Sequence, residues 1–388
     1  MKITWITRSF LDYRIPLFQS LNQLCSENLT LIYNDNVVPQ RCKNKIKIVL
    51  GERAIGLKGE KRLIGKEIQP LSNLSKNNLR VPFQPNLIDV IINSQPDIII
   101  SDGFFQWTYA PLWLNFIKKI PHIMCYEGTL HTERNVGFFR LLYRKIVSRY
   151  INIIHVNGIL SFRFLNEKLN IPKRKIRFGN MTSEISVISK KSLNFPENQK
   201  INLKNQLNLN DSVFLFVGRL VPIKGLIHLI ENWLNLSFDN ASLLIIGDGE
   251  ERENLEKFCF NKKINNIHFQ REIDHDEVYK FYAISDIFII PTLQDNWSLV
   301  VPEAMSAGLP ILSSKYNGCW PELVQPDNGW VFDPLNKNNF KETLEKALKN
   351  KENWKKMGEV SRNIVENFSP EKIAAKIYDS CKKITRSN

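Results

Sequence analysis

Short runs of apolar, β-branched residues alternate with stretches of helical periodicity from one end of the chain to the other. In the first half, residues 3–7, 29–33, 97–101, 122–126 and 152–156 are predicted strands, and 14–24 and 111–120 are predicted helices between them. A polar, Asn- and Lys-rich stretch of weak periodicity, 189–210, follows and is expected to be a linker. The alternation then resumes. Strands are expected at 212–217, 242–246, 267–269, 286–291 and 310–312, and helices at 226–234 and 370–385. Strands that read as continuous apolar runs, each followed by a helix, specify an α/β fold with parallel sheets. At 388 residues the chain suits two such domains. The expected boundaries are 1–188 for the first, 211–369 for the second, and a terminal helix over 370–388 that returns to the first. Open parallel sheets bind ligands beyond the carboxyl ends of their strands, so the two sheets are expected to face each other across a cleft.

Three strand-end loops of the second domain carry the candidate chemistry. Gly218-Arg219-Leu220-Val221-Pro222-Ile223-Lys224-Gly225 follows the strand FLFV. Glycine lets the backbone turn tightly, and Arg219 and Lys224 bracket the start of the next helix, whose amides favour anions. Such a loop suits a diphosphate, although a cationic loop without a ligand fits the same residues. Gly247-Asp248-Gly249-Glu250-Glu251 follows LLII and suits ribose hydroxyls, or is an ordinary turn. The third loop runs from Pro291 into a small-residue helix. Ser298 is expected to cap that helix, with Leu299 and Val300 in its first turn, and Pro302 is tolerable only near its start. Asp295 in the loop and Glu303 one turn into the helix place two carboxylates toward one ligand. Asp274-His275-Asp276 has the form of a metal-binding DxD motif, but Glu277 and the helical pattern after it favour a cap.

Charge separates the halves. Residues 1–195 hold 29 Lys/Arg against 13 Asp/Glu, a net +16, whereas 196–388 hold 24 against 26, a net −2. A basic half points to anionic partners. Residues 41–66 hold nine Lys/Arg and two Glu. Residues 138–150, FFRLLYRKIVSRY, place Arg140, Arg144, Lys145 and Arg149 near one face of a helix, as in helices that lie on anionic membranes. A core-facing helix with a solvated basic side fits as well. The six cysteines are scattered without CxxC pairs, which suits reduced thiols and gives no zinc framework. No apolar run spans a bilayer and the N-terminus reads as a strand, so a cytoplasmic location is expected, with peripheral attachment to the inner membrane face. No zinc-finger spacing or RNP-like motif suggests a nucleic-acid partner.

From Val217 to Pro334 the chain resembles the GT-B glycosyltransferases of family 4: VGRL followed by KG, then IIGDGEE, then Asp295-x7-Glu303 leading into EAM-AGLP, then NGW-F-P. Asp-x-Trp-x-Leu-Val-Val before Glu-Ala-Met is similar to a subgroup of that family, with Ser298 where glycine is usual. The first half matches more loosely, through Tyr13-Arg14-Ile15-Pro16-Leu17-Phe18 and Tyr126-Glu127-Gly128-Thr129.

The resemblance implies two Rossmann-like domains, an N-terminal one for the acceptor and a C-terminal one for a nucleotide-sugar donor. It implies that Arg219 and Lys224 hold the donor diphosphate as leaving group and that Glu303 bonds the donor ribose. Asp295 and the amides of Ser298, Leu299 and Val300 contact the sugar and distal phosphate. Gly218, Gly247, Asp248 and Gly249 complete the donor set. Transfer retains the anomeric configuration and uses no metal and no cofactor beyond the nucleotide-sugar substrate. Glu127 and His131 are the acceptor-side candidates. The expected acceptor is a saccharide, lipid-linked or presented at a membrane, in surface polysaccharide assembly. A sugar-nucleotide epimerase or a phosphorylase on the same fold is the alternative.

Overall fold

The computed structural model describes residues 1–62, 82–234, 240–274 and 276–385. The chain divides into two compact units, Met1–Thr182 with Pro370–Asn388, and Ser183–Ser369.

In the first unit the strands are β1 (Ile3–Thr7), β2 (Leu29–Asn34), β3 (Ala54–Leu57), the short β4 (Lys61–Arg62) and β5 (Pro82–Phe83), β6 (Ile98–Asp102), β7 (His122–Tyr126), β8 (Ile153–Val156) and β9 (Ile176–Phe178). Seven of them form a parallel sheet in the order β3-β2-β1-β6-β7-β8-β9, and β4 pairs antiparallel with β5. Helices α1 (Ile15–Leu24), α2 (Gln40–Leu50), α3 (Leu87–Asn93), α4 (Tyr109–Lys118), α5 (Phe138–Val147) and α6 (Ile159–Arg163) connect them. β1 and β7 are buried along their whole length because helices cover both faces of the sheet.

The second unit holds α7 (Ile185–Leu193), α8 (Glu197–Gln206), β10 (Ser212–Val217), α9 (Leu226–Leu234), β11 (Ala241–Ile246), α10 (Arg252–Asn261), β12 (Ile267–Gln270), α11 (Tyr279–Ala283), β13 (Ile287–Ile290), α12 (Val300–Ser306), β14 (Ile311–Ser314), α13 (Trp320–Leu323), β15 (Gly329–Phe332), α14 (Lys337–Lys349) and α15 (Trp354–Val365). Its six strands are parallel, in the order β12-β11-β10-β13-β14-β15. Growth therefore runs outward from β10 in one direction and resumes beside it at β13. That reversal opens a crevice at the carboxyl ends of β10 and β13, where doubly wound sheets take ligands. The first sheet reverses in the same way between β1 and β6.

The last helix, α16 (Pro370–Thr385), packs on α1. Ile373, Ala374, Ile377 and Cys381 join the core that holds Leu17, Phe18 and Leu21. Buried His155, on β8, fixes the helix further. Its Nδ1 lies 2.8 Å from the Gly179 carbonyl oxygen and its Nε2 2.9 Å from Ser380 Oγ.

The stretch 189–210, expected as a linker, instead carries most of α7 and all of α8, and it lies within the second unit. Ile185 and Ile188 bury one side of α7 against α11 and α12, and Ser192 Oγ donates to the Tyr279 carbonyl (3.2 Å). Only one narrow stripe is apolar, which is why its Lys- and Ser-rich sequence masks the periodicity. β3 (AIGL), β9 (IRF) and β15 (GWVF) were not read as strands, because a glycine or an arginine breaks each apolar run. All six cysteines are buried free thiols. Among the described residues no helix is long and apolar enough to cross a membrane.

Candidate functional site

Four strand-end loops of the second unit are laced together by main-chain contacts. Leu220 N donates to the Asp248 carbonyl (2.9 Å) and Glu251 N to the Leu220 carbonyl (3.0 Å), so the loops after β10 and β11 run side by side. Glycine is required there because a Cβ on Gly247 would stand 1.9 Å from the Gly218 carbonyl oxygen. Arg252 ties this pair to the end of β12, donating to the carbonyls of Gly247 (2.9 Å) and Gln270 (3.0 Å). On the other side, Leu293 N and Thr292 Oγ1 both donate to the Ile223 carbonyl, at 2.8 and 3.1 Å. This joins the loop after β10 to the loop after β13. Gly225 turns there with φ +67°, and a Cβ would meet the Pro291 carbonyl at 2.4 Å. The fourth loop, after β14, bonds Asp295 through its backbone: Asp295 N to the Tyr316 carbonyl, and Gly318 N to the Asp295 carbonyl.

Lys224 and Asp295 meet in this lattice. Lys224 Nζ lies 2.5 Å from Asp295 Oδ2, and both side chains are largely buried. The same oxygen accepts from Ser298 Oγ (2.6 Å), and Oδ1 accepts from Trp297 N (3.1 Å). Burial alone would raise the Asp295 carboxyl. Lys224, Ser298 and the Trp297 amide outweigh it and hold the group below the ordinary carboxylate range. Asp295 is thus ionised, with both oxygens engaged by the protein.

Ser298 does not cap the helix as expected. Its hydroxyl donates to Asp295, and α12 begins at Val300 without a side-chain cap. The single hydroxyl proton goes to the Asp295 carboxylate in a charge-assisted bond. Pro302 falls in the first turn of α12, where its missing N–H does no harm. Leu299 and Val300 are half-buried beside it.

Glu303 is buried, and its Oε2 accepts from Tyr282 O–H (3.1 Å). Burial, reinforced by the facing Glu303 carboxylate, pushes the Tyr282 hydroxyl well above its ordinary range. Arg219 is exposed and finds no side-chain partner among the described residues. Asp248 is exposed, and its Oδ1 accepts from Gly249 N (2.8 Å).

Sequence reasoning missed Asn317, a fully buried side chain in the loop after β14. Its Oδ1 accepts from the amides of Ser298 and Cys319 (both 3.4 Å) and its Nδ2 donates to Ser313 Oγ (3.4 Å). The signal was Tyr-Asn-Gly just past the strand Ile311–Ser314, a strand-end position like those of the other loops.

In the stretch 274–277, Asp274 Oδ1 accepts from Asp276 N (3.4 Å) and the Asp274 carbonyl from Glu277 N (2.9 Å). This is a turn, and α11 starts only at Tyr279, so the expected cap is displaced from the helix. His275 lies outside the described residues. Among those described, no three His, Cys, Asp or Glu side chains gather as a metal set.

Glu127 belongs to the first unit. There Arg14, buried at the start of α1, reaches Asp102 at the end of β6 (3.2 Å) and Glu127 after β7 (3.5 Å), across the reversal of that sheet. Arg14 also lies over the Trp5 ring at 5.5 Å. His131 sits in the following loop, its carbonyl accepting from Arg134 (2.6 Å).

The basic face expected on residues 138–150 is not formed as read. Arg144 turns inward and grips Glu133 with two nitrogens, at 2.9 and 3.1 Å, among the rings of Phe104, Phe105, Tyr126 and Phe164. A planar guanidinium stacks on rings while bonding a carboxylate in its plane, which is why an arginine can enter this core. Arg140 leans over Phe105, leaving Lys145 and Arg149 as the exposed cations. Part of the basic stretch 41–66 lies outside the described residues.

Two doubly wound parallel α/β units, with a terminal helix returning to the first, define the GT-B architecture. Residues 197–364, most of the second unit, match the family model Glycosyl transferases group 1. An uncharacterised glycosyltransferase of Methanocaldococcus jannaschii is 30% identical over 161 residues, 40% of this chain and 41% of that protein. The lipopolysaccharide 1,2-N-acetylglucosaminetransferase of Salmonella typhimurium is 25% identical over 202 residues, 48% of this chain and 53% of its own length. The chain spans about half the length of the relatives it matches. Among solved structures, the Anabaena protein HepE in complex with UDP superposes with a TM-score of 0.75 at 15% identity, covering 99% of this chain and 100% of that one. The likeness is one of fold.

Proposed function

We propose that the chain transfers a sugar from a nucleotide-diphosphate donor to a saccharide acceptor. The observation that carries this reading is the Lys224–Asp295 ion pair at the strand-order reversal of the unit that matches Glycosyl transferases group 1, with the exposed Arg219 on the same loop. Cleaving a glycosyl–phosphate bond leaves a diphosphate with growing negative charge and a sugar with growing positive charge. Fixed cations at the leaving oxygens lower that barrier most. Arg219 offers an unengaged guanidinium fork for phosphate, and Asp295 holds the Lys224 ammonium in place beside it in the loop. Glu303 serves the donor ribose.

The finer reading is a transfer that retains the anomeric configuration and uses no metal, with the leaving phosphate accepting the acceptor proton. It follows the motif resemblance, including the Asp-x-Trp-x-Leu-Val-Val variant. The acceptor is a lipid-linked saccharide of surface polysaccharide assembly at the inner membrane face. A Salmonella relative named for lipopolysaccharide and the basic first half support this setting. Glu127, paired with Arg14, is the acceptor-side carboxylate.

A thermal-shift panel of UDP-, GDP-, ADP- and dTDP-sugars tests the donor reading. One of them raises the melting temperature, and Arg219→Ala removes the shift. No stabilisation by any of the four sinks the reading. Release of nucleoside diphosphate only when a saccharide acceptor is present separates transfer from epimerisation.

A further inference from the structure

The outer side of the first unit carries an apolar surface that its chemistry does not use. On α5, Phe138 and Phe139 are 72% and 82% exposed, and Leu142, Tyr143 and Ile146 continue the same face. On α4, Trp113, Phe116 and Ile117 are exposed at helical spacing. The two helices adjoin through the turn Ser148–Tyr150 that follows α5. Tyr150 and Asn152 line a hollow of about 360 Å³ with Asn115, Phe116 and Lys119 of the α4 end.

Positive charge rims this surface. Lys118, Lys119, Lys145 and Arg149 are exposed along it. Between residues 103 and 166 there are eight Lys/Arg and only two acids, Glu127 and Glu133, each ion-paired to a buried arginine, Arg14 and Arg144. The helix is also built to present this face. Turning Arg144 inward against Glu133 removes a cation from the middle of α5 and leaves carbon outward. Lys175 closes the helix end by donating to the carbonyls of Ser148, Arg149 and Ile151, at 3.2, 2.9 and 2.8 Å.

We infer that α4 and α5 form an interfacial docking surface for an anionic lipid bilayer, with Phe138 and Phe139 entering the acyl boundary and the four cations meeting lipid phosphates. Contiguous exposed apolar side chains are rare on a solvated surface, and aromatic rings rimmed by Lys and Arg match the chemistry of a membrane interface. Neither α4 nor α5 carries an acid while both carry exposed cations, the charge complement of an anionic bilayer, which repels carboxylates. The inference rests on the lipid-linked acceptor of the proposed function and names the face through which that substrate would be reached.

Flotation of the full chain with vesicles of phosphatidylglycerol and phosphatidylcholine in equal parts tests it. The wild type floats with these vesicles, floats poorly with phosphatidylcholine alone, and is released by added salt. Phe138→Ser with Phe139→Ser lowers partitioning at least about tenfold at an unchanged melting temperature. Phe260→Ser, at an exposed ring on α10, leaves it unchanged. A wild type that stays with the bulk solution overturns the inference, as does a double variant that floats like the wild type. A vesicle-free dimer that the double variant splits into monomers also overturns it, because the face is then covered by a second copy. Nucleotide stabilisation is read on the same samples. Flotation without nucleotide binding removes the donor reading and keeps the surface, and the reverse result removes only the surface.

Discussion

Lys224 Nζ and Asp295 Oδ2 stand 2.5 Å apart and bridge the loops after β10 and β13, the two strands between which the second sheet reverses its order. The pair is held from all sides. Gly225 lets the first loop turn under the second, Thr292 and Leu293 bond the Ile223 carbonyl, and the β14 loop bonds Asp295 through its backbone. A cation fixed in this way needs little reorganisation when a diphosphate arrives, which is the property a leaving-group site requires.

Replacing Asp295 with Asn leaves Lys224 buried without its charge partner and weakens the bond to Ser298. Breaking a largely buried pair costs about 3–5 kcal/mol, read as a lower midpoint in urea unfolding. The pH dependence has a definite sign. The folded carboxyl titrates below its ordinary 3.8, so the stabilisation is complete above the ordinary carboxylate range. It is lost as pH falls through the depressed folded value. In the Asn variant that acid-limb contribution disappears, and unfolding curves between neutral pH and pH 3 report it.

Arg219→Ala separates binding from folding. The side chain is exposed and has no side-chain partner among the described residues, so the unfolding midpoint stays within about 0.5 kcal/mol of wild type. Nucleoside-diphosphate affinity falls about ten- to a hundredfold, the scale of a hydrogen bond between charged groups. Arg219→Lys restores only part of it, because an ammonium does not make the two-pronged contact. Calorimetric titration of the nucleotide checks all three proteins.

Glu303 calls for a different substitution. Ala would leave Tyr282 O–H buried without its acceptor and open a void, so lost transfer in that variant would not distinguish a ribose contact from a damaged core. Glu303→Gln keeps the shape and an acceptor for Tyr282. It retains the fold and raises the KM for the donor; a Gln variant with wild-type donor kinetics removes Glu303 from the site. Tyr282→Phe costs about 1.5–3 kcal/mol of stability, because the lost bond goes to a buried carboxylate.

The donor loops were legible in the sequence because their chemistry is local. A glycine, a cation or an acid directly after an apolar run marks a strand end whatever the surrounding fold. Tertiary competition was not legible. Ser298 had the right position for a cap, and the folded loop instead brings the Asp295 carboxylate within 2.6 Å of its hydroxyl. Arg144 had the right spacing for a solvated basic face. Its destination depends on Glu133, Phe104 and Phe164, which the fold brings around it from three other segments. The linker reading of 189–210 failed for a related reason: the partner surfaces of α7 are α11 and α12, roughly a hundred residues away.

Gly247→Ala tests the lacing of the loops directly. The added carbon would lie 1.9 Å from the Gly218 carbonyl oxygen, and both atoms belong to backbone, so no side chain can move aside. The loops after β10 and β11 must separate, breaking the Leu220–Asp248 and Glu251–Leu220 bonds. The expected result is a loss of at least about 2 kcal/mol together with weaker nucleotide binding. Faster hydrogen exchange should be confined to 218–221 and 247–252.

Two buried histidines give the first unit an acid limb of its own. Burial lowers His122 to about 3 and His155 to about 4, from an ordinary 6.5. Both are neutral in the folded chain at pH 7. In the neutral His155 ring, Nδ1–H donates to the Gly179 carbonyl and Nε2 accepts from Ser380 on α16. As pH drops below 6.5 the unfolded chain takes up protons that the folded chain refuses, so stability declines with falling pH. The His155 contribution levels off near pH 4, once the folded ring is protonated too. Between pH 7 and 5 the loss is on the order of 2 kcal/mol for each ring. His155→Gln removes one titration, so its stability is lower at pH 7 but falls less steeply toward pH 5. A wild-type unfolding midpoint that is flat from pH 7 to 5 would mean that these rings are not kept neutral by burial.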